Sequence, residues 1–222
     1  MQELDRYVKA QKKEEEVITI AAGESIILWL LIPLLSKQSR KIRFRNMRSR
    51  QTFEAMKKGI VDIAIHHEKD GELDTLKPSR WQITHAGSYE LQMIGLRSLL
   101  ADREVKSWKD LQSLDVSIVT LEGGGSTRRL VEKLCLEHPH GPQISLECTS
   151  HPQIVEACRN ANCIGIVPQI ADPKFHAQKE SEDFCFVSLQ ELQKQKVKLS
   201  CSTLNRRYEN SAMLREVYHL LI

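Results

Sequence analysis

"VITIAAGESIILWLLIPLL", residues 17–35, sets a continuous apolar, β-branched run against a short polar turn and a second apolar run. Residues 17–22 suit a strand covered on both faces. Gly23-Glu24-Ser25 turns the chain, and Ser25 is placed to N-cap the apolar helix that follows. The same order returns in "VSIVTLEGGGSTRRLVEKLCLE", residues 116–137, where three glycines separate a strand from a helix that opens at Ser126-Thr127. Strand, glycine turn and helix, met twice a hundred residues apart, is the rhythm of an α/β protein built from two similar units.

Around the first copy, "KIRFRNM" (41–47) alternates Ile42 and Phe44 with Arg43 and Arg45, the pattern of a strand with one wet face. "SRQTFEAMKKG" (49–59) reads as a helix stopped by Gly59, and "VDIAIHH" (61–67) as a buried strand. Around the second copy, "YELQMIGL", "QISLEC" and "CIGIVP" read as strands, "SWKDLQSL" as a short helix and "PQIVEACRNA" as a helix. Residues 72–90 and 184–189 are extended pieces suited to carry the chain across and back. "KVKLSCSTL" and "NSAMLREVYHLLI" close it with a strand and a helix. The alternation favours mostly parallel sheets with helices on both faces.

A chain of 222 residues can bury a substantial core. Its formal net charge of +3 gives no global pull toward nucleic acid or membrane. "IILWLLIPLL" (26–35) is shorter than the roughly 20 residues of a membrane span and is interrupted by Pro33. No secretory signal is legible in residues 1–16, so the expected address is cytoplasmic. Six cysteines without scaffold spacing read as reduced, mostly buried thiols. Cys135, His138, His140, Cys148 and His151 are possible metal ligands, but no pair has C-x2-C or H-x3-H spacing, so no metal and no cofactor is expected.

In open α/β sheets ligands sit at the carboxyl ends of strands, where helix N-termini offer N–H groups and partial positive charge. Gly23, Glu24 and Ser25 form one such loop, and Gly125, Ser126 and Thr127 the other. The second is not a Walker loop, because Gly125 stands where the phosphate-binding lysine belongs, nor a dinucleotide fingerprint, because its closing glycine is missing. Ser126 has no nucleophile elbow around it, and nothing positive supports an enzyme. The basic residues between Lys37 and Arg50 fit the solvated face of an edge strand better than a nucleic-acid surface.

Four stretches carry a resemblance to a known family: "GESIILWLLIPLL" (23–35), "FEAMKKGIVDIAI" (53–65), "GGGSTRRLVEKLC" (123–135) and "IVEACRNANCIGIVPQIA" (154–171). In order and spacing the chain from Val17 onward resembles the effector-binding domain of LysR-type transcriptional regulators. The resemblance implies the type 2 periplasmic-binding-protein fold: two Rossmann-like α/β subdomains joined by two crossover strands, with a small effector in the cleft. Subdomain I would hold 17–85 plus 188–222 and subdomain II 86–187. Residues 1–16 would be the end of a linker helix, with the N-terminal winged helix-turn-helix absent from this chain. The implied effector contacts are Gly23, Glu24, Ser25, Arg48, Ser49, His66, Gly125, Ser126 and Thr127.

The function implied is a non-catalytic sensor of a small carboxylate or oxyanion, acting as a homodimer or tetramer and meeting DNA only through the missing domain. Ile26, Ile27, Leu30 and Leu31 are the apolar surface expected at the dimer contact. An extracytoplasmic solute-binding protein of the same fold is the alternative, and a lyase or synthase on this fold is a third reading. An upstream helix-turn-helix, a signal peptide, or turnover lost on Ser126→Ala would separate the three.

Overall fold

The computed structural model describes residues 17–68, 77–123, 125–179, 181–193 and 195–222. The linker helix expected over 1–16, and positions 72–76 of the first crossover segment, lie outside the described residues. In chain order the elements are β1 (Ile18–Ala22), α1 (Glu24–Ile26), a π-helical turn (Ile27–Leu31), α2 (Ile32–Leu35), β2 (Ile42–Asn46), α3 (Ser49–Lys57), β3 (Ile63–His67) and β4 (Trp81–Tyr89). There follow β5 (Leu91–Leu96), α4 (Arg97–Leu100), β6 (Ser117–Leu121), α5 (Ser126–Glu137), β7 (Ile144–Cys148), α6 (His151–Asn160) and β8 (Cys163–Pro168). Finally come β9 (Phe184–Val187), β10 (Val197–Leu204), α7 (Asn205–Asn210) and α8 (Ala212–Leu220).

The chain divides into two compact units, the first holding the described residues through Gly23, Leu31–Gly87 and Lys198–Ile222, the second Glu24–Leu30 and Ser88–Val197. The chain leaves the first unit within β4 and returns to it at the start of β10. Each unit is α/β around one five-stranded mixed sheet. No helix among the described residues is long and apolar enough to cross a membrane.

The first sheet runs β2-β1-β3-β10-β4, with β1 parallel to β2 and β3, and β10 antiparallel to β3. All five residues of β1 are buried, as its unbroken apolar run requires. Edge strand β2 exposes Arg43 and Arg45 and half-buries Ile42 and Phe44. Phe53, Ala55 and Met56 of α3 pack with Ala21, Ala64 and Trp81. Helix α3 ends in a Schellman motif: Gly59, at φ 69°, donates to Met56 O at 2.8 Å and Ile60 donates to Ala55 O at 2.9 Å. The next turn buries Asp62, whose carboxylate accepts from Thr19 N at 2.8 Å and pairs with Arg207 of α7.

The second sheet runs β7-β6-β8-β5-β9, with β6 parallel to β7 and β8, and β5 antiparallel to β8 and β9. A buried cluster joins Ile94, Val119, Val167 and Phe184 of the strands to Ile154 and Cys158 of α6. Cys158, Cys163 and Cys201 are buried and Cys135, Cys148 and Cys185 half-buried, all six as free thiols.

Three local expectations need correction. The run 26–35 is not one α-helix but passes through the π turn, because Pro33 has no N–H for the carbonyl four residues back and its ring crowds that carbonyl. Ser25 is not an N-cap, since α1 already begins at Glu24. Ile26, Ile27 and Leu31 are buried and Leu30 half-buried; the widened turn shifts the facing of the run, and the exposed apolar residues are Leu28, Ile32 and Leu34. The short helix expected at "SWKDLQSL" is present, as a 3-10 helix over Trp108–Ser113.

Candidate functional site

In the second unit the parallel neighbours β6 and β7 end side by side, and each leads into a helix. The turn after β6 reaches α5 with Gly125 as N-cap in an extended conformation and no side-chain cap bond, at an end where a helix offers backbone N–H groups. Ser126 is exposed and Thr127 is buried within the same turn. The chain after β7 reaches α6 through Thr149 and Ser150. Gln153 Oε1 accepts from both N and Oγ1 of Thr149 at 2.9 Å, which fixes this corner.

Ser25 of α1 belongs to the same unit, and its Oγ lies 3.4 Å from Nδ1 of His151, the first residue of α6. Ser150, the N-cap of α6, makes no side-chain cap bond, and its Oγ is buried without a hydrogen-bond partner among the described residues. Thr120, near the end of β6 and 1% exposed, likewise has a buried Oγ1 without one. Buried hydroxyls of this kind cost free energy unless a ligand or water satisfies them. Two helix N-termini thus follow neighbouring strand ends in this unit, with Ser25 against His151 at the second, a donor-rich setting suited to a polar or anionic ligand.

Arg128, the residue after Thr127, does not share that role. Arg128 is drawn back along its own unit, with Nε on Glu132 and Nη1 on Glu147, both at 2.7 Å, and Nη1 also donating to Leu121 O. It ties α5 to β6 and β7.

In the first unit the carboxyl ends of β2 and β3 carry the other expected contacts. Arg48, exposed, is the N-cap of α3, and its backbone N donates to Gln51 Oε1. Ser49 Oγ accepts from His67 N at 3.4 Å. His66 is 2% exposed, with Nε2 3.0 Å from Ser202 Oγ and its ring edge-on to Phe53. Two residues on, Glu68 accepts from Ser200 Oγ at 2.7 Å and faces His85 Nδ1 at 3.0 Å. Burial pushes the Glu68 carboxyl up, but the bonds from His85 and Ser200 outweigh it and hold it below the ordinary 4.5.

Sequence reasoning had noted His151 only as a possible metal ligand and had missed Thr120, Ser150, Glu68 and Ser200. "CTSHPQ", with a hydroxyl residue at the N-cap and proline in the first turn, was the signal available for Ser150 and His151. Among the described residues no three His, Cys, Asp or Glu side chains converge as a metal site, and Cys135 donates instead to Pro142 O.

The structure is similar to full-length and domain structures of known regulators. It matches CbnR, a LysR family transcriptional regulator, at 15% identity over 100% of this chain and 75% of that one, with a TM-score of 0.65. The regulatory domain of HypT from Salmonella typhimurium matches at 12% identity, over 93% of this chain and 94% of that one, with a TM-score of 0.69. The regulatory domain of CcmR from Synechocystis matches at 16% identity over 92% and 95%, with a TM-score of 0.65. At these identities the likeness shows the fold, the α/β type expected from the sequence. A comparison with curated proteins gives no match. The model of the LysR substrate binding domain matches residues 11–212, nearly the whole chain, and favours the regulator over a solute-binding protein. The chain belongs to the LysR substrate binding domain family.

Proposed function

We propose that this chain is the ligand-sensing domain of a LysR-type transcriptional regulator, without turnover, and that its effector is a small carboxylate or oxyanion. The observation that carries the reading is the contact of Ser25 with His151 at the start of α6, next in sequence to the buried hydroxyl of Ser150. Ser25, Ser126 and Thr127 serve as hydroxyl donors, the first turn at Gly125 supplies backbone N–H, and His151 adds an imidazole ring nitrogen. Gly23 and Glu24 shape the approach to Ser25. Arg48, Ser49 and His66, at the carboxyl end of the first unit's sheet, are proposed as further contacts. Relatives of this fold support a small anion: HypT's regulatory domain is known with bromide bound and that of OxyR2 with sulfate.

Effector binding would bias a two-state arrangement of a homodimer or tetramer and so the DNA-binding domains it carries; CbnR is known in complex with its target DNA. The exposed apolar side chains Leu28, Leu136 and Leu146 are suited to self-association. The free thiols fit a reducing compartment such as the cytoplasm. A thermal-shift screen of small carboxylates and oxyanions tests the reading, because a ligand of the folded state at 100 times its Kd adds about 2.7 kcal/mol. A hit whose shift is lost in Ser25→Ala and Thr127→Val supports it; a shift kept by both variants moves the site elsewhere.

A further inference from the structure

Gly165 lies in the middle of β8, beneath α6. A Cβ placed on it would come 2.2 Å from Cγ2 of Ile154, more than an ångström short of the 3.4 Å at which ordinary contact begins. Cγ1 of Val119 at 3.3 Å and Sγ of Cys158 at 3.4 Å close the other sides, so the missing side chain has no alternative space. The atom in the way is not the end of a long, mobile chain. Cγ2 is bonded directly to the Cβ of a β-branched residue that is fully buried and held to one rotamer in a helix. Any side chain at 165 therefore moves the helix backbone, not merely a methyl group.

Ile154 sits in the first turn of α6, its N donating to Ser150 O at 3.3 Å, three residues from His151. The close approach of α6 to β8 thus fixes where the imidazole of His151 stands, and the 3.4 Å contact with Ser25 has no slack to absorb a shift of an ångström. We propose that Gly165 is a positioning residue for the effector site: by carrying no side chain it seats α6 so that His151 reaches Ser25. This rests on the reading that Ser25 and His151 hold the effector.

The test uses imidazole 1H–15N correlation spectra of the labelled 222-residue chain, with His151 assigned through His151→Gln. These spectra need no effector, so their outcome is independent of the ligand screen. Gly165→Ala is expected to move the His151 Nδ1 signal to where Ser25→Ala puts it, and Ile154→Ala added to Gly165→Ala to restore the wild-type position. Wild-type His151 signals in a folded Gly165→Ala chain would overturn the proposal, leaving Gly165 a packing residue only. If Gly165→Ala does not fold, the double variant decides: wild-type signals support the proposal, and Ser25→Ala-like signals overturn it.

Discussion

The Oγ of Ser25 lies 3.4 Å from Nδ1 of His151, joining residues 126 positions apart inside one unit. At that length the bond is weak, so either partner can turn to a ligand oxygen at little cost. Both residues offer polar groups beside a helix N-terminus.

Ser25→Ala and His151→Gln are accordingly expected to leave the melting temperature within about 2 °C of wild type. Each should weaken binding of a small anion by about tenfold or more. Differential scanning fluorimetry with and without the anion separates the two effects.

Arg128→Ala should behave in the opposite way. It removes the hydrogen bonds to Glu132, Glu147 and Leu121 O, which together contribute about 1–2 kcal/mol given that both glutamates are half exposed. The melting temperature then falls by roughly 3–6 °C with anion affinity nearly unchanged.

Asp62→Ala leaves the N–H of buried Thr19 without its acceptor and removes the tether to Arg207. A loss of about 2–3 kcal/mol in urea unfolding is expected, and Asp62→Asn should recover part of it, because an amide oxygen still accepts from Thr19.

The architecture was legible because its signals are local. Unbroken apolar runs marked β1 and β8, alternation marked β2, and Gly59 and Gly125 marked a helix end and a helix start. The π turn was not legible, since a proline in an apolar run announces a break but not how the preceding turn accommodates it. At the site, periodicity placed Ser126 and Thr127 at a helix N-terminus, yet no linear pattern could pair Ser25 with His151 or leave the hydroxyls of Thr120 and Ser150 without partners among the described residues. Those are facts of tertiary packing, set by which strand ends lie beside which.

Acid should act on the first unit through Glu68. Its carboxyl is held below the ordinary 4.5, so its hydrogen bonds contribute stability above that value and lose it as pH falls through the depressed one. The advantage of wild type over Glu68→Gln, no more than about 1 kcal/mol because His85 is half exposed, should be present at neutral pH and vanish in acid. Urea unfolding of both chains across that range measures it.

Self-association should depend on the exposed leucines. Leu136 is 82% exposed on α5 and Leu28 is 40% exposed in the π turn. Leu28→Asp and Leu136→Asp are expected to shift sedimentation toward the monomer, with the far-ultraviolet spectrum unchanged. Sedimentation identical to wild type in both would place the interface elsewhere.

The most direct measurement is isothermal titration of the best small anion from the screen into wild type, Ser25→Ala and Thr127→Val. One anion bound per wild-type chain, with affinity about tenfold or more weaker in each variant, is the result predicted. Affinities equal to wild type in both variants would contradict an effector seat built on Ser25 and the start of α5.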